Sequence, residues 1–193
     1  MTMKLALSLS GLLLTAQVWA QDVATAPASE AASSPVAVAD APYVALQRQW
    51  EQAKYNTPEA EREKALEALS NQAKAVLADH PKDAPTLIWS AIVLSSYAGE
   101  KGGLGALSLV KEAKVLLEQA IEVDPNALNG SAYTSLGSLY YQVPGWPVGF
   151  GDSDVAREML DKALATAPDS IDANYFYGDF LLSEEDYAGA IEK

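Results

Sequence analysis

Small residues recur at fixed spacing along the second half of this chain, and that recurrence limits the fold more than any single motif does. Ala113, Leu117, Ala120 and Pro125 stand at offsets of 4, 7 and 12, and Ala156, Leu160, Ala163 and Pro168 repeat them. Tyr133, Leu136, Gly137 and Tyr140 lie upstream of the second set, and Asn174, Tyr177, Gly178 and Leu181 keep the same spacing 41 residues later. From Ala156 to the equivalent Ala190 is 34 residues. Offsets of 3, 4 and 7 place side chains on one helical face, and a proline after the second set stops the helix. Two helices approach closely only where one presents no bulk to the other, which explains Gly137, Gly178, Ala120 and Ala163. Tyr140 and Leu160 then fill the space beside each contact. Asp169 with Asp172, and Ser183 with Asp186, stand three residues apart as an N-cap and its N3 acid do, and mark expected helix starts.

These residues resemble the tetratricopeptide repeat, a helix–turn–helix unit of 34 residues, in the pattern Tyr133-Leu136-Gly137-Tyr140 followed by Ala156-Leu160-Ala163-Pro168. The likeness is good over 84–193 and poor over 43–83, where Leu66, Leu69, Ala73, Leu77 and Pro81 keep the second-helix spacing but Val76 occupies a position that wants a small residue. The resemblance implies an all-α fold, an α-solenoid of about three and a half antiparallel helix pairs: 43–83 a degenerate pair with helices at 43–55 and 59–79, 84–125 and 131–168 repeats with insertions, and 171–193 a truncated repeat. Sixteen positions separate Tyr140 from Ala156 where nine separate Leu181 from Ala190, so seven residues are inserted around Pro144-Gly145-Trp146-Pro147-Val148-Gly149-Phe150. A longer insertion is expected at the same place in the preceding repeat, around Gly99-Glu100-Lys101-Gly102-Gly103-Leu104-Gly105. The pattern breaks off at Lys193, as it would in a fragment of a longer chain.

Residues 1–20 combine Lys4, an apolar run from Leu5 to Leu14, and Val18-Trp19-Ala20 with modest side chains at the cleavage positions, the layout of a secretory signal peptide. About ten apolar residues are too few to cross a bilayer that needs roughly 20, so the expected location is the periplasm of a Gram-negative bacterium and the chain is not expected to span a membrane. Residues 21–42 are Ala, Ser, Pro and Val with three acids and no aromatic residue, which reads as a tether. The 13 Lys and Arg against 26 Asp and Glu, a net charge of −13, argue against a nucleic-acid partner, since phosphate contacts need a basic surface.

Catalytic readings fail on inventory. The chain has no Cys and one His, His80, at an expected helix C-terminus where a cation suits the dipole. No Ser–His or Cys–His pair and no zinc set can be assembled. The glycines at 99–105 lack the Lys-Ser/Thr ending of a phosphate loop. Asp152-Ser153-Asp154 is not followed by calcium ligands at the required spacing and reads as a helix cap. Neither enzyme activity nor a metal or cofactor is expected.

Binding is the remaining class. First helices of stacked repeats line a concave face. From Tyr133 that face takes Ser131, Thr134, Ser138, Tyr141 and Gln142; from Asn174 it takes Asp172, Tyr175, Asp179, Leu182 and Ser183. These positions lack the Lys, Arg and Asn with which some tetratricopeptide repeats grip a peptide carboxylate. Tyr141, Asp172, Tyr175 and Asp179 suit a cationic or aromatic partner surface instead. Trp146 and Phe150, on a Gly/Pro-rich loop, either fold back near Leu104 and Leu107 or meet a partner. The expectation is a scaffold holding a protein or peptide. A second reading is a solute-binding accessory, loosely similar to the T component of tripartite ATP-independent periplasmic transporters, whose lipid-bearing Cys has no counterpart here.

Overall fold

The computed structural model describes residues 41–192, and all the regular structure among them is helical. In chain order the elements are α1 (Pro42–Glu51), a π-turn (Gln52–Asn56), α2 (Glu59–Asp79), α3 (Ala84–Lys101), α4 (Gly103–Val123), a 3-10 turn (Ala127–Gly130), α5 (Ser131–Gln142), α6 (Ser153–Thr166), α7 (Ile171–Ser183) and α8 (Tyr187–Ile191). The signal-peptide reading of 1–20, and the tether reading up to residue 40, lie outside the described residues. The tether was drawn to 42, whereas helix begins at Pro42, a residue suited to a first turn that needs no N–H. No helix of the described residues is long and apolar enough to cross a membrane.

Helix starts follow local chemistry. Asp83 caps α3 by accepting from the Thr86 amide at 2.9 Å, and Asp152 caps α6 by accepting from the amides of Asp154 and Val155 at 3.0 and 3.1 Å. Two expected caps move. Ser170, not Asp169, caps α7 through the Ala173 amide, and Asp186, not Ser183, caps α8 through the Gly189 amide. Ser183 belongs to the last turn of α7, where its hydroxyl donates to the Phe180 carbonyl at 2.6 Å, so it has no part in the next helix.

The core is a series of three clusters. Leu46, Leu66, Leu69, Val93 and Tyr97 join α1, α2 and α3. Leu87, Ala91, Leu94, Leu117, Leu136 and Leu139 join α3, α4 and α5. Ala156, Leu160, Tyr177, Phe180 and Leu181 join α6 and α7. Burying each of the large side chains contributes about 1.5–3 kcal/mol. The recurring small residues do what their spacing suggests between α5 and α6: a Cβ on Gly137 would stand 2.8 Å from Leu160 Cγ and 3.2 Å from the Ala156 carbonyl oxygen. Ala113, Ala120, Ala156 and Ala163 are fully buried. Besides packing on its chain neighbours, α1 touches α3, α3 touches α5, and α5 touches α7.

The connections differ. Gly102 alone separates α3 from α4, with φ 62° and ψ −175°, and Gly103 follows at φ 61°. The excursion expected at 99–105 is therefore not a loop. Helix-forming Lys, Leu, Ala and Ser on both sides carry the two helices up to a single reversal. Between α5 and α6 the chain is irregular from 143 to 152, where Pro144 and Pro147 bar helix continuation. That loop contains a cis Trp146–Pro147 bond and closes on itself: a bridge joins Gly145 to Gly151, and the Asp152 amide donates to the Tyr140 carbonyl at 2.9 Å. Between α4 and α5, Leu128, Asn129 and Gly130 are left-handed in succession, at φ 48°, 57° and 74°.

Candidate binding groove

A groove of about 960 Å³ opens on the face where α1, α3, α5 and α7 follow one another. Helical spacing builds it. Trp89, Ile92 and Ser96 on α3, and Ser131, the adjacent Thr134 and Ser135, and Ser138 on α5, follow one another at three or four residues, while Leu87, Ala91 and Leu136 serve the core and Leu139 serves both. Trp50 at the end of α1, with Lys54 and Tyr55 in the π-turn, closes one end, and Asp172 and Phe176 of α7 stand at the other. The first turns of α4, through Leu104, Leu107 and Val110, and the 143–152 loop, through Pro144 and Val148, form the rim.

Three rings lie together at the α1 end. Trp50 meets Tyr55 edge-on at 5.6 Å and 88°, and Trp89 at 5.8 Å and 64°. The Trp50 Nε1–H donates to Ser96 Oγ at 2.7 Å, fixing the indole. The lining has one cation, Lys54, which is paired with Glu100 at 3.1 Å, and one anion, Asp172. The groove is thus close to neutral in a chain of net charge −13. Hydroxyls supply its polarity. Thr134 is 3% exposed yet lines the groove, and among the described residues no hydrogen bond involves its hydroxyl or those of Ser131 and Ser135.

The anticipated binding residues separate into groups. Ser131, Thr134, Ser138, Gln142 and Asp172 line the groove. Tyr141 and Asp179 satisfy each other across α5 and α7, the Tyr141 hydroxyl donating to Asp179 Oδ2 at 2.6 Å, with the ring 5.6 Å from Phe180. Burial first, and the bond to Asp179 second, push the Tyr141 hydroxyl well above its ordinary pKa; bonds from Gln142 and Ser138 act weakly the other way. Tyr175 is exposed beside Phe176, at 5.3 Å, outside the groove, and neither Leu182 nor Ser183 reaches it. Phe150 folds back, packing edge-on against Tyr140 at 5.4 Å with the Lys114 ammonium 5.9 Å from its ring. Trp146 does not: it is 89% exposed at the loop tip, and Leu104, the neighbour expected to cover it, is 88% exposed.

Trp50, Tyr55, Trp89 and Ile92 were not anticipated. The count made from Tyr133, started instead at Leu87, lands on Ile92, Ser95 and Ser96 in the groove, but also on Pro85 and on Ile88, which belongs to the core. The ring cluster has no such signal, because Lys54 and Tyr55 sit in a π-turn that breaks helical register. Among the described residues no three His, Asp or Glu stand close enough to hold a metal. No protein-family model matches the chain, and no curated protein matches it in sequence.

Proposed function

We propose that this chain is an exported, non-catalytic interaction module, a tetratricopeptide-like solenoid of antiparallel helix pairs that holds a protein or peptide partner in the groove. One observation carries the reading: alternate helices, α1, α3, α5 and α7, share a single groove. Stacked helix pairs produce that arrangement when the first helix of every pair faces inward. The close approach of Gly137 to Leu160 supports the pairing of α5 with α6. Rigid rings with few torsions, such as Trp50 and Trp89, are efficient contact residues. Asp172 offers the rim a site for a cationic group on the partner. The layout of residues 1–20 supports delivery to the periplasm.

The groove volume favours a second reading, a solute-binding accessory of a transporter, since about 960 Å³ falls within the roughly 300–1,000 Å³ typical of small-molecule sites. A photo-cross-linking residue in place of Ser135, compared with one in place of exposed Val115 on α4, tests the scaffold. Capture of a defined protein from Ser135 and not from Val115 is expected; equal capture from both overturns it. A small molecule that co-purifies in native mass spectrometry and blocks the Ser135 cross-link moves the assignment to the solute accessory.

A further inference from the structure

Resting on the groove as the binding face, we infer that its occupant is a neutral, proline-rich segment in the polyproline II conformation. The charge of the lining is the first argument. Lys54 is neutralised by Glu100, and the only other lining charge, Asp172, stands at the far end, so nothing along the middle favours a charged ligand. Hydrogen bonding is the second. The groove is walled by helices whose backbone groups are already bonded within themselves, so it has no open strand edge on which an extended peptide could add a ladder. It does present hydroxyls that open onto the groove, among them that of Thr134.

A ligand that covers those hydroxyls without offering acceptors leaves them only the carbonyls of their own helix, as Ser95 uses that of Ala91, and a buried hydroxyl left unpaired is penalised. A helical peptide is poorly suited, since its carbonyls are bonded internally and its apolar face would seal Thr134 and Ser135 against hydrocarbon. A polyproline II segment leaves its carbonyls free and, at each proline, has no N–H that needs an acceptor. Shape is the third argument. The rings of Trp50, Tyr55 and Trp89, in edge contact with one another through Trp50, line one end of the groove. Proline-rich segments dock into aromatic-lined grooves of this sort because their fold is already set and little conformational entropy is lost on binding. The bond from Trp50 to Ser96 holds one wall in place before any ligand arrives.

The test uses the full chain and two synthetic peptides, a twelve-residue Ala-Pro-Pro repeat and its mirror image made from D-residues, titrated by calorimetry. Composition, charge and hydrophobicity are identical in the two, and only the hand of the helix differs. The expected result is saturable binding of the L-peptide, with the D-peptide at least tenfold weaker. Trp89→Ala is expected to weaken the L-peptide tenfold or more. Thr134→Val keeps the shape and removes the hydroxyl, and is expected to weaken it about threefold with an unchanged melting temperature, which separates loss of contact from loss of fold. Equal binding of both peptides overturns the inference while leaving the groove as a binding face. Binding of neither overturns it too, and the Ser135 cross-link then decides separately whether the groove is used at all.

Discussion

The α3–α4 connection and the α5–α6 connection each join two consecutive helices, are both rich in glycine, and take opposite forms. At the first, one residue, Gly102, reverses the chain between helices of 18 and 21 residues. At the second, residues 143–152 make an irregular loop folded on its own backbone. Glycine content does not decide between them. Around Gly102 the neighbours are helix formers, and the cost of Gly99 and Gly105 in a helix, about 1 kcal/mol each relative to Ala, is offset by the packing of Leu107 and Val110 on the core. Around Gly149, Pro144 and Pro147 forbid helix, and the glycines serve close backbone contact instead.

That contrast is broken most directly at Gly151. A Cβ there would stand 1.8 Å from the Val143 carbonyl oxygen and 2.9 Å from its carbon, backbone atoms that cannot swing aside. Gly151→Ala is expected to cost about 3 kcal/mol, or roughly 6–12 °C in melting temperature for a domain of this size; a scanning calorimeter reads it, and an unchanged value would show the loop is not closed this way. Gly102→Ala has open space around it, with nothing within 4 Å, so only its torsions object. A loss of about 2 kcal/mol is expected from the backbone alone, and urea unfolding should show the midpoint move with the slope kept.

The last turn of α5 leads into the loop and is tied to α7 by Tyr141 and Asp179. Tyr141→Phe is expected to cost about 1 kcal/mol at neutral pH, less than a fully buried charged hydrogen bond because the ring is only partly covered. Its pH dependence has a definite sign. The folded chain holds the Tyr141 hydroxyl above the ordinary value of 10.0, so the contribution is present below pH 10 and is lost as pH rises through the folded value. The gap between wild type and variant should therefore close in urea titrations above pH 10. Some alkaline destabilisation should persist in the variant, since Tyr177, bonded to Asp161 at 2.8 Å, is shifted in the same direction. The smallest effect belongs to Trp146→Ala, within about 0.5 kcal/mol by thermal melt, because an 89% exposed ring has little packing to lose.

Helix placement was legible because it depends on local pattern. The 3, 4 and 7 spacing locates α4 to α7 through Ala113, Gly137, Ala163 and Tyr177, and the close contact at Gly137 follows from its lack of a side chain. The site was legible only where the same counting applies, at Ser131, Thr134, Ser138, Gln142 and Asp172. It failed to show that Tyr141 and Asp179 bond to each other 38 residues apart. It also failed for the ring cluster, whose meeting depends on how α1 and α3 pack. Nothing in the spacing of Trp50, Tyr55 and Trp89 encodes that distance.

The elbow at Leu128, Asn129 and Gly130 has a bearing on selectivity. Three of the five helices that form the groove and its rim precede it in the chain and two follow, so the torsions of Leu128 and Asn129, wound against the preference of L-residues, and that of Gly130 join the two parts of the wall. A change of residue at the elbow would therefore act on how the α5 and α7 wall meets the α1 and α3 wall without replacing any side chain that lines the groove.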